Sequence, residues 1–233
     1  MLYTRPLPRD ARAVTTLRKL LPFSCLALAT PAAAQVDHDL SGWLNLTATG
    51  KIHDKLIYFA EIQPRVSRDR GDVEQLLLRP AIGVQATRNL QLYLGYVHVE
   101  EPAANRNEER LFQQATLFVR DLPGELQSRT RLEQRWRSDG RDTQWRLRQM
   151  LRYEYPVRPK LAPMASIEGF WALNEVDWKR YDGFDQVRTF LGLEIGLKGR
   201  STIEAGYLNQ IVDQPGAAAR MNHVASVSVF FRH

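Results

Sequence analysis

The most regular feature of this chain is a two-residue alternation of polar and apolar side chains. It is clearest at residues 126–137 and 144–155, where arginine, glutamine and glutamate alternate with leucine, tryptophan and tyrosine. Because successive side chains of a strand point to opposite faces, the pattern predicts two strands, each with a charged face and an apolar face. A helix of the same sequence would spread its arginines all round the cylinder and bury no apolar stripe.

The same alternation predicts eleven strands, at residues 42–51, 56–67, 74–86, 90–100, 110–121, 126–137, 144–155, 163–174, 186–197, 201–210 and 222–232. Most are about twice as long as an ordinary globular strand, and a tilted strand needs ~9–11 residues to cross a bilayer. The connections contain turn-forming residues and alternate between short and longer. We therefore predict an all-β protein, an antiparallel transmembrane β-barrel of about 10–12 strands with short turns on one rim and longer loops on the other.

The strand count leaves one question open, because bacterial single-chain barrels close with an even number of strands. Either residues 36–41 form a short twelfth strand, or one of the eleven segments lies outside the wall. In the last segment, Ala225, Val227, Val229 and Phe231 are predicted to face outward, and His233 stands where such barrels usually end in an aromatic residue. We expect barrel-assembly machinery to recognise this strand.

Residues 1–34 have the three parts of a secretory signal peptide. A stretch with five basic residues precedes the apolar run at 20–29, and small residues lead up to Ala34. The apolar run is shorter than the ~20 residues of a membrane-spanning helix. We predict cleavage after Ala34 and export through the general secretory route, which leaves residues 35–233 as the barrel domain. A lipid-modified Cys25 and an ordinary amphipathic helix are the weaker alternatives.

The charge of the chain changes once this segment is set aside. The formal net charge is +6, but five of the 32 basic residues and one of the 26 acidic residues lie in 1–34, leaving 27 basic and 25 acidic residues, a net of +2. A nearly neutral exported chain gives no electrostatic reason to expect nucleic acid. Cys25 is the single cysteine and no zinc-binding spacing occurs, so we expect no disulfide, metal or cofactor.

Charged side chains on the alternating registers are the main functional candidates. Arginine facing lipid at mid-depth costs ~2–4 kcal/mol, so these groups must face the lumen. They form either a narrow polar passage with a basic wall that favours anions or a set of ion pairs that seals a small interior, which is the more common arrangement. The predicted lumen-facing charged network comprises Glu61, Arg65, Arg79, Arg129, Arg131, Glu133, Arg135, Arg146, Arg148, Arg152, Glu154, Glu168, Arg188, Glu194 and Glu204.

The other face is apolar, with aromatic residues near the strand ends. Such rings suit a membrane–water interface, because the ring contacts lipid while its polar atom reaches water. We therefore expect contact with lipid and lipopolysaccharide in the outer membrane of a Gram-negative bacterium. The predicted interfacial aromatics are Trp43, Trp136, Trp145, Tyr153, Tyr155, Trp171 and Tyr207.

Two other functions are less well supported. A soluble periplasmic β-sheet carrier of lipid or another hydrophobic ligand would show similar alternation. An outer-membrane lipid-modifying enzyme would need a catalytic group, yet His223 and Ser226 fall on opposite faces of one strand and no nucleophile motif is present. The acidic pairs Glu100-Glu101 and Glu108-Glu109 are interpreted as solvated loop charges rather than a divalent-ion site. The oligomeric state is not predicted.

Short motifs along the chain carry a family resemblance: Glu61-Ile62-Gln63-Pro64-Arg65, Leu78-Arg79-Pro80, Leu92-Tyr93-Leu94-Gly95-Tyr96, Arg129-Thr130-Arg131-Leu132-Glu133-Gln134-Arg135, Trp145-Arg146-Leu147-Arg148, Leu151-Arg152-Tyr153, Phe184-Asp185-Gln186-Val187-Arg188, Phe190-Leu191-Gly192, Gly206-Tyr207-Leu208-Asn209-Gln210 and Asn222-His223. In this order they resemble the bacterial domain-of-unknown-function family 2490, whose members are predicted outer-membrane β-barrels. The resemblance implies an outer-membrane barrel and supplies no activity, substrate or catalytic residue.

Overall fold

The computed structural model describes residues 37–67 and 73–233. The predicted signal peptide at 1–34 therefore lies outside the described residues. One short 3-10 turn occurs at Pro102–Ala104, and no helix in the described ranges has the length and apolar character needed to cross a membrane. The strands are β1 (Asp37–His53), β2 (Leu56–Ser67), β3 (Val73–Gln85), β4 (Leu90–Glu101), β5 (Arg106–Leu122), β6 (Gly124–Arg137), β7 (Gln144–Glu154), β8 (Leu161–Ala172), β9 (Gly183–Gly196), β10 (Thr202–Val212) and β11 (Arg220–Arg232).

The predicted all-β barrel is confirmed. The strands follow one another in sequence order around a closed barrel, and each pairs antiparallel with the next. Strands β1 and β11 close it as a parallel pair, from Asp37 opposite Arg220 to Thr49 opposite Arg232. This follows from the odd number, because strands of alternating direction leave the first and the eleventh pointing the same way.

Two expectations about strand number are wrong for this chain. The barrel closes with eleven strands rather than an even number. Residues 37–41 do not form a twelfth strand; they are the first part of β1, which starts earlier than its apolar segment indicated. As a consequence, β1 begins at one rim of the barrel and β11 ends at the other.

The two rims differ in connection length, as the sequence predicted. The turn rim carries the connections at 54–55, 86–89, 123, 155–160 and 197–201, and the loop rim carries those at 102–105, 138–143, 173–182 and 213–219. The tight turns depend on residues that adopt positive φ. Asp54 has a φ of 44° and Gly124 a φ of 119°, and a Cβ at Gly124 would collide with the carbonyl oxygen of Glu154.

The two faces of the wall have opposite chemistry. The outward register is apolar, and Leu191, Leu94 and Ile82 are 65%, 55% and 51% exposed. The inward register carries most of the charged side chains, beside a small apolar cluster of Leu77, Val97, Val99 and Phe112. A water-soluble protein buries its apolar face and exposes its charged one, so this wall has the polarity of a barrel surrounded by an apolar medium.

Candidate functional site

All the charged residues that we predicted to face the lumen lie on the inward register of their strands. The strand pairing places the most densely charged stretches, β6 and β7, side by side, with Glu133 opposite Arg146 and Arg131 opposite Arg148. Strand β8 then adds Glu168 on the same side of the wall, opposite Met150. The site is thus assembled from strands that are consecutive in the sequence.

A central cluster, formed by Glu133, Arg146, Arg148, Glu168 and Arg129, crosses the lumen side of β6–β8. Glu133 is 0% exposed and accepts hydrogen bonds from Arg146 Nε at 2.9 Å and Arg148 Nη1 at 2.7 Å. Arg148 also donates to Glu168 at 2.8 Å, and Arg129 donates to the same carboxylate at 2.8 Å. Each carboxylate therefore has two guanidinium partners, an arrangement that satisfies buried charge through short, charge-assisted hydrogen bonds.

Two buried aromatic rings fill the space beside this cluster. The Arg131 guanidinium carbon lies 4.3 Å from the ring centre of Phe112, and that of Arg148 lies 4.5 Å from Phe170. Phe112 and Phe170 are 1% and 0% exposed. A guanidinium stacked on a desolvated ring gains cation–π attraction, so the rings both pack and stabilise the charged interior. We did not predict these two phenylalanines as part of the site, although both alternate with outward-facing residues.

A loop-rim cluster lies nearer the long connections and consists of Glu108, Arg110, Arg135 and Gln144. Glu108 is 4% exposed and accepts hydrogen bonds from Arg110 Nε at 2.7 Å and Arg135 Nη2 at 3.0 Å. Arg135 also donates to the buried side chain of Gln144. The bonds link β5, β6 and β7 across the lumen side of the wall.

The interpretation of Glu108-Glu109 as solvated loop charge is wrong. Strand β5 begins at Arg106, so Glu108 faces the lumen and Glu109 faces outward, where its carboxylate lies 2.8 Å from His98 Nδ1. The charged alternation of Arg106, Glu108 and Arg110 was visible in the sequence. The predicted strand begins at Arg110, which leaves Glu108 in the preceding connection.

A turn-rim cluster at the other end of the lumen is more acidic. Arg152 Nη2 lies 2.7 Å from Glu154, 2.9 Å from Glu204 and 3.5 Å from Glu194. Thus one arginine serves three carboxylates here, whereas arginine outnumbers glutamate in the central cluster. The lumen therefore changes from basic at mid-height to acidic towards the short turns.

The connection at 173–182 closes over the lumen at the loop rim. The ring of Trp178 stacks on Arg135, whose guanidinium carbon lies 5.2 Å from the ring centre. This contact places the Trp178 ring at the mouth of the barrel. Lys179 forms an ion pair with the buried carboxylate of Asp185. Burial lowers the pKa of Lys179 below its ordinary value, and the neighbouring carboxylate of Asp185 opposes that shift. The loop thus covers the charged interior from this side.

One predicted interfacial aromatic is wrong: Trp43 faces the lumen. It is 7% exposed, and the guanidinium of Arg65 stacks on its ring at 3.9 Å. Leu44 and Leu46 are the outward residues of this stretch of β1, 40% and 39% exposed. Because neighbouring positions in a strand face opposite ways, Trp43 must point inward.

The remaining predicted aromatics lie on the outer wall. Trp136, Trp145 and Trp171 are outward at the loop-rim ends of β6, β7 and β8, while Tyr153 and Tyr155 lie at the turn rim. Tyr207 also faces outward, but its predicted place near a strand end is wrong, because it occupies the middle of β10. Its hydroxyl lies 2.6 Å from Nδ1 of His223.

The structure brings no catalytic group together around His223. His223 is on the outward register, with Nε2 2.9 Å from His38 Nδ1, whereas Ser226 faces the lumen and is 7% exposed. The two side chains lie on opposite faces of β11, as their spacing predicted, so no direct proton transfer joins them. In residues 37–67 and 73–233, no group of three or more His, Cys, Asp or Glu side chains could hold a metal ion.

A polar patch on the outer wall was not predicted. It consists of Gln113, Ser128, Thr130, Gln134 and Gln149, all on the outward register of β5–β7. The Gln113 and Gln134 amides exchange two hydrogen bonds, of 3.1 and 3.0 Å, and the Gln149 amide donates to Ser128 at 2.9 Å. In an apolar medium polar side chains must satisfy one another, and these do.

We expect the Gln113→Leu substitution to lower the free energy of unfolding by about 1 kcal/mol, because it leaves the Gln134 amide without its partner in an apolar setting. The double variant Gln113→Leu/Gln134→Leu should be closer to the unsubstituted protein. A double-mutant cycle from urea unfolding of the reconstituted barrel measures the coupling. Additive effects of the two substitutions would show that the amides are hydrated and that this face is wet.

Fold and site together define a closed β-barrel with an apolar exterior and a lumen packed with ion pairs. The chain belongs to the family described as protein of unknown function DUF2490, whose model matches residues 40–222. It is 39% identical over 224 residues to an uncharacterized protein of Methylorubrum extorquens, covering 93% of this chain and 98% of the relative. No solved structure matches it.

Proposed function

We propose that this chain is an exported outer-membrane β-barrel whose lumen is sealed, and that it serves as a closed structural barrel rather than as an open passage. The observation that carries the proposal is the central cluster. Glu133 and Glu168 are 0% and 8% exposed, and each is held by two arginines. An ion crossing the lumen at mid-height would have to break these buried pairs, which opposes conduction.

The polarity of the wall supports a lipid environment. A long outward band of leucine, isoleucine and valine side chains is exposed, and aromatic residues lie near both rims. Leaving such a band in water would be unfavourable by roughly 25 cal/mol for each Å² of apolar surface. The lengths of the strands match those of bilayer-spanning β-strands.

The same polarity opposes the alternative of a soluble carrier of hydrophobic ligands. Such a carrier needs an apolar interior to hold its ligand. Here the cavity inside the barrel is lined by several guanidinium groups, among them those of Arg65, Arg79 and Arg188. The interior thus suits charged or strongly polar molecules.

We propose residues 1–34 as the export signal, and we assign the loop rim to the cell exterior and the turn rim to the periplasm. Cysteine labelling tests this orientation without background, because Cys25 is the chain's single cysteine and lies in the proposed leader. Ala217→Cys places a thiol on an exposed loop-rim connection, and Lys198→Cys places one on an exposed turn. We expect a membrane-impermeant maleimide to label Ala217→Cys on intact cells, and Lys198→Cys only after permeabilisation.

Two further readouts complete this test. The barrel should fractionate with outer membranes and should migrate differently on gels before and after boiling. The unsubstituted protein is the matched control, since it should take up no label in either condition. Release of the protein into the periplasmic extract, or equal labelling of both variants on intact cells, would contradict the proposed location.

A further inference from the structure

A cavity of about 170 Å³ lies inside the barrel, beside the central cluster. The guanidinium groups around it belong to Arg65, Arg79, Arg148, Arg152 and Arg188. Among the described residues, the carboxylates that line it are those of Glu168 and Glu204. Its wall therefore carries more positive than negative charge.

Within residues 37–67 and 73–233, two of these arginines join no ion pair, although Glu168 lies opposite Arg188 in the strand register and is shared between Arg129 and Arg148. Arg188 Nε is buried without a hydrogen-bond partner, and within residues 37–67 and 73–233 its guanidinium joins no ion pair. Instead it lies over the rings of Trp43 and Phe170, at 5.0 and 4.6 Å from their centres. Among the residues that the structure describes, Arg65 donates to the neutral amides of two glutamines, and its Nε is likewise buried with no partner.

The other arginines that line the cavity have carboxylate partners. Arg79 is paired with Glu61, and Arg148 is paired with Glu133 and Glu168. A buried cation without a counter-charge is costly, and a planar guanidinium with free donors is the group that best binds carboxylate or phosphate oxygens. Arg65 and Arg188 lie against the same Trp43 ring and both line the cavity, so they border one common space.

We propose that this cavity is a binding site for a small organic anion, with its carboxylate or phosphate group held by Arg65 and Arg188. Part of the lining is apolar, because Met150, Met164 and Phe190 also border the cavity. A ligand with a short apolar portion therefore fits better than a bare inorganic ion. The proposed binding site requires the closed barrel but not its location in a membrane. The binding proposal therefore holds even if the proposed membrane location is wrong.

The test uses the full folded protein purified in detergent, with butyrate, inorganic phosphate and neutral butyramide as probes. We expect butyrate to raise the thermal midpoint saturably, through preferential binding to the folded state, and to bind more tightly than phosphate. Arg188→Gln should weaken butyrate binding at least ~10-fold, since it removes one partner of a buried charge pair. Trp43 fluorescence offers a second readout, because both arginines contact its ring.

Two further variants keep this test decisive. Arg120→Gln removes the same charge from a side chain that is 44% exposed and absent from the cavity wall, and it should bind butyrate normally. Met164→Phe narrows the cavity while every arginine is kept, and it should also weaken binding. Equal midpoint shifts from butyrate and butyramide, unchanged binding in both cavity variants, or no saturable shift at all would overturn the proposal. Preferential binding of phosphate would overturn its apolar part.

Discussion

Replacing Glu133 with alanine should lower the free energy of unfolding of the barrel by about 3–5 kcal/mol. The substitution leaves Arg146 and Arg148 buried, with side chains only 6% exposed, after removing the carboxylate that both contact. The guanidinium groups of Arg146 and Arg148 would then lie near each other and near Arg131, with less negative charge to offset their repulsion. Urea unfolding in lipid vesicles, followed by tryptophan fluorescence, measures the change.

Two matched variants test whether this loss of stability comes from the buried, paired position of Glu133 or from the removal of any glutamate. Glu125→Ala breaks the pair with Arg120, whose side chains are 31% and 44% exposed, and should cost no more than about 1 kcal/mol. Glu133→Gln keeps the shape and one acceptor oxygen but not the charge, and should fall between the two. If Glu133→Ala were no more harmful than Glu125→Ala, the central cluster would have to be hydrated rather than desolvated.

The sequence alone could predict the wall of this barrel but not all of its interior. The alternation of polar and apolar side chains located every strand. Charged residues must face away from an apolar medium, so they recur at every second position of a strand. The alternation also assigned Arg131, Glu133, Arg146 and Arg148 to one face, and the structure places them together on β6 and β7. Consecutive strands of this wall pair side by side, so this proximity is a local consequence of the sequence.

Strand starts were one source of error. At β5 the predicted start at Arg110 left out Glu108, and at β1 the predicted start at residue 42 left residues 37–41 without an element. The wrong face given to Trp43 has another cause, because Trp43 lies within the predicted segment, on the register opposite Leu44 and Leu46. Strands that extend into a rim carry polar residues on both faces there, so the hydrophobic pattern fades before the hydrogen-bonded ladder ends. The charge alternation continues past that point and is the better guide.

Pairing over long sequence distance could not be read from periodicity at all. Arg129 donates to Glu168, which lies two strands away, and Arg152 reaches Glu204 on β10. Such contacts depend on the register in which the wall closes, and the parallel pairing of β1 with β11 sets that register. The odd strand count was the one sign of this parallel pairing in the sequence. When eleven strands follow one another around a closed sheet, the odd number predicts that the first and last strands pair in parallel.

Removing the central cluster as a unit should open the lumen to ions. The triple variant Glu133→Ala/Arg146→Ala/Arg148→Ala deletes one carboxylate with both of its hydrogen-bonded arginine partners. It leaves Glu168 paired with Arg129. Its loss of stability should be smaller than the sum of the single substitutions, because the three paired charges are removed together and the remaining arginine that loses a carboxylate partner is Arg131, 3.7 Å from Glu133. In planar bilayers we expect discrete current steps from this variant and none from the unsubstituted barrel.

The matched control removes two arginines and one carboxylate at the loop rim, as Arg106→Ala/Arg137→Ala/Asp139→Ala. Asp139 lies 3.7 Å from Arg106, is paired with Arg137, and its side chain is 46% exposed. This variant has the same change in net charge but leaves the central cluster intact, so it should give no current steps. Current steps of equal size from the unsubstituted protein and both variants would mean that ions bypass the central cluster, and the sealed-lumen proposal would fail. Steps confined to the first variant would identify the Glu133 pairs as the barrier, because only there does the loss of charged side chains leave a continuous path for water.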